Sequence, residues 1–173
     1  ISEDEVIKIG NNMSDTFKFI HKQIDEIKSL YDTDKIKSKT KNKLIIKYYR
    51  KLQNLRDELH WKSINYLTNK YKTIIIGSMN VKNIVENYKL NKMTKRVMHS
   101  SGFYLFKQRL EYKCKERKCF FEVVDEKYTS KLCSICGNEH KELGGNRIYE
   151  CKKCDNEIDR DVNGARNIYI KSF

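Results

Sequence analysis

The sequence predicts an α/β chain, and three observations predict it. Thr73-Ile74-Ile75-Ile76 is a short, β-branched, apolar run bounded by Gly77-Ser78, which reads as a buried strand. A long helical pattern, about residues 41–70, feeds directly into it. A helix leading into an apolar strand marks an α/β layer in which both strand faces are covered. A second apolar stretch, Cys119-Phe120-Phe121-Glu122-Val123-Val124, follows a further helical pattern and reads as a second strand ending at Asp125-Glu126.

The remaining elements follow from periodicity. Val6-Ile7-Lys8-Ile9 alternates and predicts a short strand closed by Gly10-Asn11-Asn12. Phe17, Ile20, Ile24, Ile27 and Leu30 recur every three to four residues between about Ser14 and Tyr31, a helical stripe for which Ser14 or Asp15 would be the N-cap. Residues 32–40 are polar. In the long helix Leu44, Tyr48, Leu52, Leu55, Leu59 and Tyr66 share one face, interrupted by Lys62, with most Lys and Arg elsewhere. Its aromatics Tyr48, Tyr49, Trp61 and Tyr66 fit a core better than base-stacking platforms. Asn91–Ser100 is basic and helical in pattern. In Phe103–Glu116 a helix would line up Phe103, Phe106, Leu110 and Cys114. There is no internal repeat and no low-complexity linker.

Composition narrows the function. The 173 residues carry 36 Lys+Arg against 23 Asp+Glu, a net charge of +13, with 39% hydrophobic residues and no proline. That apolar fraction suffices for one modest core and excludes a mainly disordered chain. No run approaches the roughly 18 apolar residues of a membrane span, and the acidic start Ile1-Ser2-Glu3-Asp4-Glu5 does not read as a signal peptide. The excess positive charge is concentrated between Lys35 and Lys72, where it reaches +10. Such a segment suits a polyanion, because each neutralised phosphate releases counterions. Lysine loading for solubility is the alternative.

Cysteines supply the sharpest signal. Cys133-x2-Cys136 and Cys151-x2-Cys154 each present two thiolates from one turn, and together they complete a tetrahedral four-sulfur site. Gly137 follows the first pair, where the knuckle needs a permissive backbone. Leu143-Gly144-Gly145-Asn146 reads as a turn and Arg147-Ile148-Tyr149-Glu150 as a strand, so the segment is a zinc ribbon. With four thiolates and no open position, its zinc is structural. Two disulfides are the alternative, but nothing indicates secretion and thiols inside cells are reduced. Intracellular residence is therefore expected, nuclear if the source is eukaryotic or viral. His140 reads as solvated, and Cys114 and Cys119 as core cysteines.

The string Tyr128-Thr129-Ser130-Lys131-x-Cys133-x2-Cys136-Gly137, then Cys151-x2-Cys154, then Asp159-Arg160-Asp161-x-Asn163-Gly164-Ala165-Arg166-Asn167-Ile168, resembles the C-terminal end of TnpB-like proteins and their eukaryotic and viral relatives, the Fanzor proteins. These are transposon-associated, RNA-guided DNA nucleases related to type V CRISPR effectors. The resemblance is most specific over residues 126–169 and weaker back to Ile74–Ile76 and the 103–116 helix. It implies an α/β, RNase H-like (RuvC) partial domain with an inserted four-cysteine zinc ribbon. Residues 1–128 would be the RuvC-like segment, lacking its first strand and carrying the basic helical insertion at about 41–70. Residues 129–158 would be the ribbon, and 159–173 the last helix with a catalytic Asp.

It also implies three acids holding two Mg²⁺ ions, which activate a water and stabilise the leaving oxygen of a scissile phosphate. The last acid maps onto Asp161; a plain N-cap is its alternative role. The second would sit where this chain has Gly77, and the resemblance to the Fanzor branch implies a displaced Glu. In an RNase H-like sheet the strand Cys119–Val124 would lie parallel beside Ile74–Ile76 and open at the same edge. Glu126 is accordingly the displaced acid, with Glu122 the runner-up. No Gly-x-Asp-x-Gly pattern supplies the first acid, which is expected on a strand upstream of Ile1. Two of three acids would give little or no activity alone. Lys43, Lys47, Arg50 and Lys51, and a second patch of Lys92, Lys95 and Arg96, would grip guide RNA and DNA through phosphates, or else form solvated helix faces. The expected function is the C-terminal part of an Mg²⁺-dependent, RNA-guided DNA endonuclease, with a catalytically incomplete nucleic-acid-binding remnant as the alternative. A zinc ribbon of a transcription or translation factor would leave Thr129-Ser130 and the Asp-Arg-Asp-x-Asn string unexplained.

Overall fold

The computed structural model describes residues 5–79, 81–86, 90–140, 144 and 146–173. The chain is α/β and divides into two compact units: residues 9–70 with 80–117, and residues 1–8 with 71–79 and 118–173.

The first unit is helical: α1 (Met13–Asp32), α2 (Ser38–Lys70), α3 (Val81–Glu86), α4 (Lys92–Ser101) and α5 (Phe103–Arg117). The stripe read from the sequence places Phe17, Ile20 and Ile24 of α1 in a core with Leu52 of α2 and Val97 of α4. The helix starts earlier than expected. Its cap is Asn12, in a left-handed conformation and without a side-chain hydrogen bond, so Ser14 and Asp15 lie inside the first turn. At 33 residues, α2 is about 50 Å long. Its buried face includes Leu52, His60, Ser63, Ile64 and Thr68. The expected aromatic core is only partly present: Tyr48 packs against the core, while Tyr49, Trp61 and Tyr66 are exposed. The Trp61 ring instead carries the Arg109 guanidinium 5.3 Å from its centroid. Asn91 caps α4 by accepting the Thr94 amide. Gly102, with φ +60, turns the chain into α5, and any Cβ there would come within 3.0 Å of Arg56.

Two histidines not singled out from the sequence are buried here. His60 Nε2 lies 2.9 Å from the Ser101 carbonyl, while Arg109 approaches its Nδ1 at 3.3 Å. That pairing suits a neutral ring that donates through Nε2 and accepts at Nδ1. His21 Nε2 lies 2.8 Å from Ser100 Oγ. Burial lowers both pKa values below 6.5, with neighbouring arginines adding to the effect. Arg109 and Arg56 meet at Asp57, whose carboxyl they hold below its usual range, the Arg109 hydrogen bond first.

In the second unit β1 (Thr73–Gly77) pairs parallel with β2 (Phe120–Val124), Ile75 opposite Glu122 and Gly77 opposite Val124. A parallel pair needs a long crossover, here the segment that carries α3, α4 and α5. Then β3 (Ile148–Glu150) pairs antiparallel with β4 (Glu157–Asp159), and α6 (Arg160–Ile170) follows and packs against β1. The strand expected at Val6–Ile9 is absent. That segment is irregular, and Val6, Ile7 and Ile9 are exposed. Alternation alone does not hold a strand without a neighbour, and no described strand pairs with it. Leu143 and Gly145 of the expected turn lie outside the described residues. No helix among the described residues is long and apolar enough to cross a membrane.

The buried histidines set a pH dependence. Their folded pKa values lie below the unfolded 6.5, so the unfolded chain takes up protons first as pH falls through that value. Stability is full above 6.5 and is lost progressively below it. The thermal midpoint of the helical unit, followed by circular dichroism, is expected to fall between about pH 7.5 and about pH 5.5, and to fall less in His21→Gln and His60→Gln variants.

Candidate metal centre and carboxylate site

The two Cys-x2-Cys turns have the same construction. Cys133 N–H donates to the Asn138 carbonyl and Gly137 N–H returns to the Cys133 carbonyl; Cys151 with Asn156, and Asp155 with Cys151, repeat this at 2.9 Å throughout. Gly137 and Asp155, the equivalent positions, have φ of +70 and +52. The expectation of a permissive residue after the first pair thus holds, and Asp155 takes the same conformation after the second. The four Sγ atoms lie within 4.8 Å of one another. Cys133 and Cys154 are 3.7 Å apart, Cys136 and Cys151 3.5 Å. Four bonds of about 2.3 Å at tetrahedral angles separate sulfurs by about 3.8 Å, so the cluster fits a four-coordinate cation and is far from disulfide length.

Charge points the same way. Cys151 is drawn down to about 6, foremost by the Lys153 backbone amide. Cys154 stands at about 12: the Asn156 amide favours its thiolate, but partial desolvation and the neighbouring sulfurs outweigh it. Four sulfurs this close need a cation before all ionise. Tyr149 seals the ribbon, fully buried, its hydroxyl 3.1 Å from the Lys131 carbonyl and 3.0 Å from that of Asn138. Burial and the adjacent cysteines push its pKa up to about 12. His140 lies edge-on to Tyr149, outside the sulfur cluster.

The candidate carboxylates lie outside the sulfur cluster. A Cβ built on Gly77, the last residue of β1, would be 2.6 Å from Glu126 Oε2, 3.1 Å from Glu126 Cβ and 3.0 Å from Ile168 of α6. The Glu126 side chain therefore fills the space that a side chain at position 77 would enter. Burial, with the charge of Asp125, raises its pKa. Glu122 is two residues back from the end of β2, opposite Ile75. Asp161 stands in the first turn of α6 and is exposed. It is not the N-cap. Asp159 is, accepting the amides of Asp161 and Val162 while paired with Lys8 at 2.6 Å. The Asp161 carboxylate is thus not consumed by capping. Seven residues separate it from Ile168, so the two share a helix face about two turns apart.

What holds these parts together was not read from the sequence. The buried face of α6 is Asn163, Gly164 and Asn167. Asn163 Oδ1 accepts the Ser134 amide at 2.9 Å, and its Nδ2 donates to the Leu132 carbonyl at 2.7 Å. Asn167 Nδ2 donates to the carbonyls of Thr129 and Leu132, each at 2.7 Å. Thr129 in turn closes the Glu126 turn, its amide and hydroxyl both donating to the Glu126 carbonyl. Two carboxamides four residues apart bracketing a Gly, on a face that should otherwise be apolar, are the signal that could have revealed this clamp.

In the helical unit Lys43, Lys47, Arg50 and Lys51 line, with Lys39, an open cleft of ≈ 880 Å³ along α2. Lys92 and Lys95 lie on α4. Arg96 beside them is committed to Asp25 at 2.5 Å and to the His21 carbonyl.

The geometry defines an α/β chain with a four-cysteine ribbon set ahead of its last helix. Residues 103–168 match the family described as Cas12f1-like, TNB domain. The chain is 38% identical over 159 residues to the TnpB-like protein L79 of Acanthamoeba polyphaga mimivirus, covering 88% of this chain and 30% of that protein. It is 27% identical over 124 residues to the CRISPR-associated endodeoxyribonuclease Cas12f1 of Sulfoacidibacillus thermotolerans, covering 71% and 29%. The chain in a cryo-EM structure of a Cas12f1-sgRNA-target DNA complex superposes with a TM-score of 0.63 at 20% identity, over 92% of this chain and 42% of that one, a likeness of fold. The chain belongs to the TnpB/Cas12f1 family, and it spans about a third of the length of the curated relatives it matches.

Removing the clamp leaves buried backbone carbonyls without donors, which costs about 1–3 kcal/mol. Asn167→Leu strands the Thr129 carbonyl and Asn163→Leu the Ser134 amide, while the Leu132 carbonyl keeps the other carboxamide, so each is expected to lose about that much in denaturant unfolding. A loss under about 0.3 kcal/mol would show the bonds to be incidental.

Proposed function

We propose that the chain is the C-terminal part of an Mg²⁺-dependent, RNA-guided DNA endonuclease of the TnpB/Fanzor type, cleaving DNA phosphodiesters at a two-metal site. The observation that carries this is the Glu126 carboxylate in the space above Gly77. An acid brought from β2 to the end of β1 supplies at that sheet edge what the strand's own residue does not. The parallel β1–β2 pair with α6 packed on β1 supports an RNase H-like (RuvC) partial domain. In it residues 1–128 carry the helical insertion, 129–158 form the ribbon and 159–173 the last helix. The domain would open at its carboxyl edge, where ligands of α/β sheets collect.

Bound Mg²⁺ would activate a water and stabilise the leaving oxygen of the scissile phosphate. Glu126 and Asp161 would be two of its protein ligands. Ile168, which like Glu126 borders the space above Gly77, lies about two turns along α6 from Asp161 and on the same helix face. The raised pKa of Glu126 fits a carboxylate placed to gain a cation. Thr129 and Asn167 hold its turn in register with α6. One structural zinc would occupy the closed four-cysteine site, which has no open position, in an intracellular setting that keeps thiols reduced, nuclear if the source is eukaryotic or viral. Lys43, Lys47, Arg50 and Lys51, with Lys92, Lys95 and Arg96, would contact guide RNA and DNA through phosphates, Arg96 while retaining its bond to Asp25. The names of the relatives, among them an endodeoxyribonuclease and a complex with sgRNA and target DNA, support these partners.

A second reading, a nucleic-acid-binding remnant, is favoured by the lack of a Gly-x-Asp-x-Gly pattern anywhere in the chain. The two readings separate on cleavage. In the protein supplied with its guide, Glu126→Gln and Asp161→Asn are each expected to reduce Mg²⁺-dependent cleavage at least about 100-fold while target binding stays within about twofold. Gly77→Ala should also reduce it, because the added Cβ would meet the Glu126 carboxylate. Binding without cleavage by the unsubstituted protein would establish the remnant. Metal analysis of the reduced chain should give about one zinc per chain, and none would remove the ribbon.

A further inference from the structure

The turn between Glu126 and the first cysteine contains a residue that its backbone does not require. Tyr128 has φ +66, a region that bulky side chains rarely adopt and that Gly or Asn fills with less strain. The turn is closed by main-chain groups: the Tyr128 carbonyl accepts the amides of Lys131 at 2.9 Å and Leu132 at 3.2 Å. The ring adds nothing to the ribbon core, which is built on Tyr149, Cys133 and Cys151, and it is 52% exposed. Lys127 Nζ lies 5.2 Å from its centroid and Lys131 Nζ 5.9 Å, both within cation–π reach. The platform is braced, since Lys171 of the chain end donates to the carbonyls of Asp125 at 3.3 Å and Lys127 at 2.7 Å. An exposed aromatic face flanked by ammonium groups, held two residues from a carboxylate, is the arrangement that stacks a base and neutralises its phosphates.

We propose that Tyr128, Lys127 and Lys131 form a nucleotide subsite beside Glu126, in which the ring stacks on a base of single-stranded DNA next to the scissile phosphodiester and the two ammonium groups take the adjoining phosphates. This rests on the nuclease reading of Glu126 and Asp161. Strained backbone retained beside a reactive group is consistent with a role in function rather than folding.

The test is binding of the full chain, in Ca²⁺, to single-stranded oligodeoxynucleotides carrying 2-aminopurine, with thermal melting of each variant in parallel. Tyr128→Phe should bind and quench within about twofold of the unsubstituted chain, and Tyr128→Gly should bind about fivefold or more weakly with its quench lost. Because glycine relieves the positive φ, Tyr128→Gly should melt no lower than the parent. Lys127→Gln and Lys131→Gln should each reduce the slope of log affinity against log salt by about 0.7. Unchanged binding and quench in Tyr128→Gly overturn the subsite alone, as does a Tyr128→Gly chain that no longer folds, since the ring would then be structural. No binding by the unsubstituted chain overturns the subsite and the nucleic-acid reading together.

Discussion

Two buried carboxamides hold the second unit in register. Asn163 and Asn167 sit one helical turn apart on α6, and their bonds run to the backbone of residues 129–134. That segment begins at the Glu126 turn and ends in the first cysteine knuckle. The helix carrying Asp161, the turn carrying Glu126 and the first cysteine turn are therefore fastened by one short set of hydrogen bonds. Gly164 lies between the amides, where a Cβ would reach only ordinary contact with Ser130 at 4.0 Å. The glycine thus serves the close seating of helix on loop more than it avoids a clash. Buried amides of this kind specify one arrangement, because any shift of the helix strands a donor in a dry interior.

The same economy is visible at the sheet edge. A residue with a side chain at 77 and a glutamate at 126 would compete for one volume. The chain has a glycine at the first position and a carboxylate from the neighbouring strand in the space this leaves. The parallel register explains the approach: Gly77 lies opposite Val124, so a residue just past the end of β2 can turn back over the end of β1.

Much of this was legible in the residues. The two strands, the long basic helix and the paired cysteine turns are local patterns, strong because periodicity and spacing report them directly. Glu126 was singled out by the resemblance together with the expected parallel arrangement of the strands; the structure shows that arrangement and the approach of its side chain to Gly77. Other features were not. Asn163 and Asn167 look like surface residues until the loop they bind is in place. His21 and His60 are buried by partners far away in sequence, at Ser100 and Ser101. Val6–Ile9 shows the opposite failure: alternation suggested a strand, but a strand exists only beside another. Tyr49, Trp61 and Tyr66 were assigned inward because aromatic residues usually are, whereas the long helix α2 has more circumference than its neighbours cover.

The central claim is that Glu126 and Asp161 hold metal together at the carboxyl end of β1. Anomalous diffraction from the protein crystallised with Mn²⁺, guide and target tests it most directly. The account predicts manganese peaks ligated by both carboxylates at the end of β1, with a separate zinc peak among Cys133, Cys136, Cys151 and Cys154. Manganese bound by Glu122 or Asp125 with Glu126 turned away, or no manganese at that edge in a complex that cleaves DNA, would contradict it.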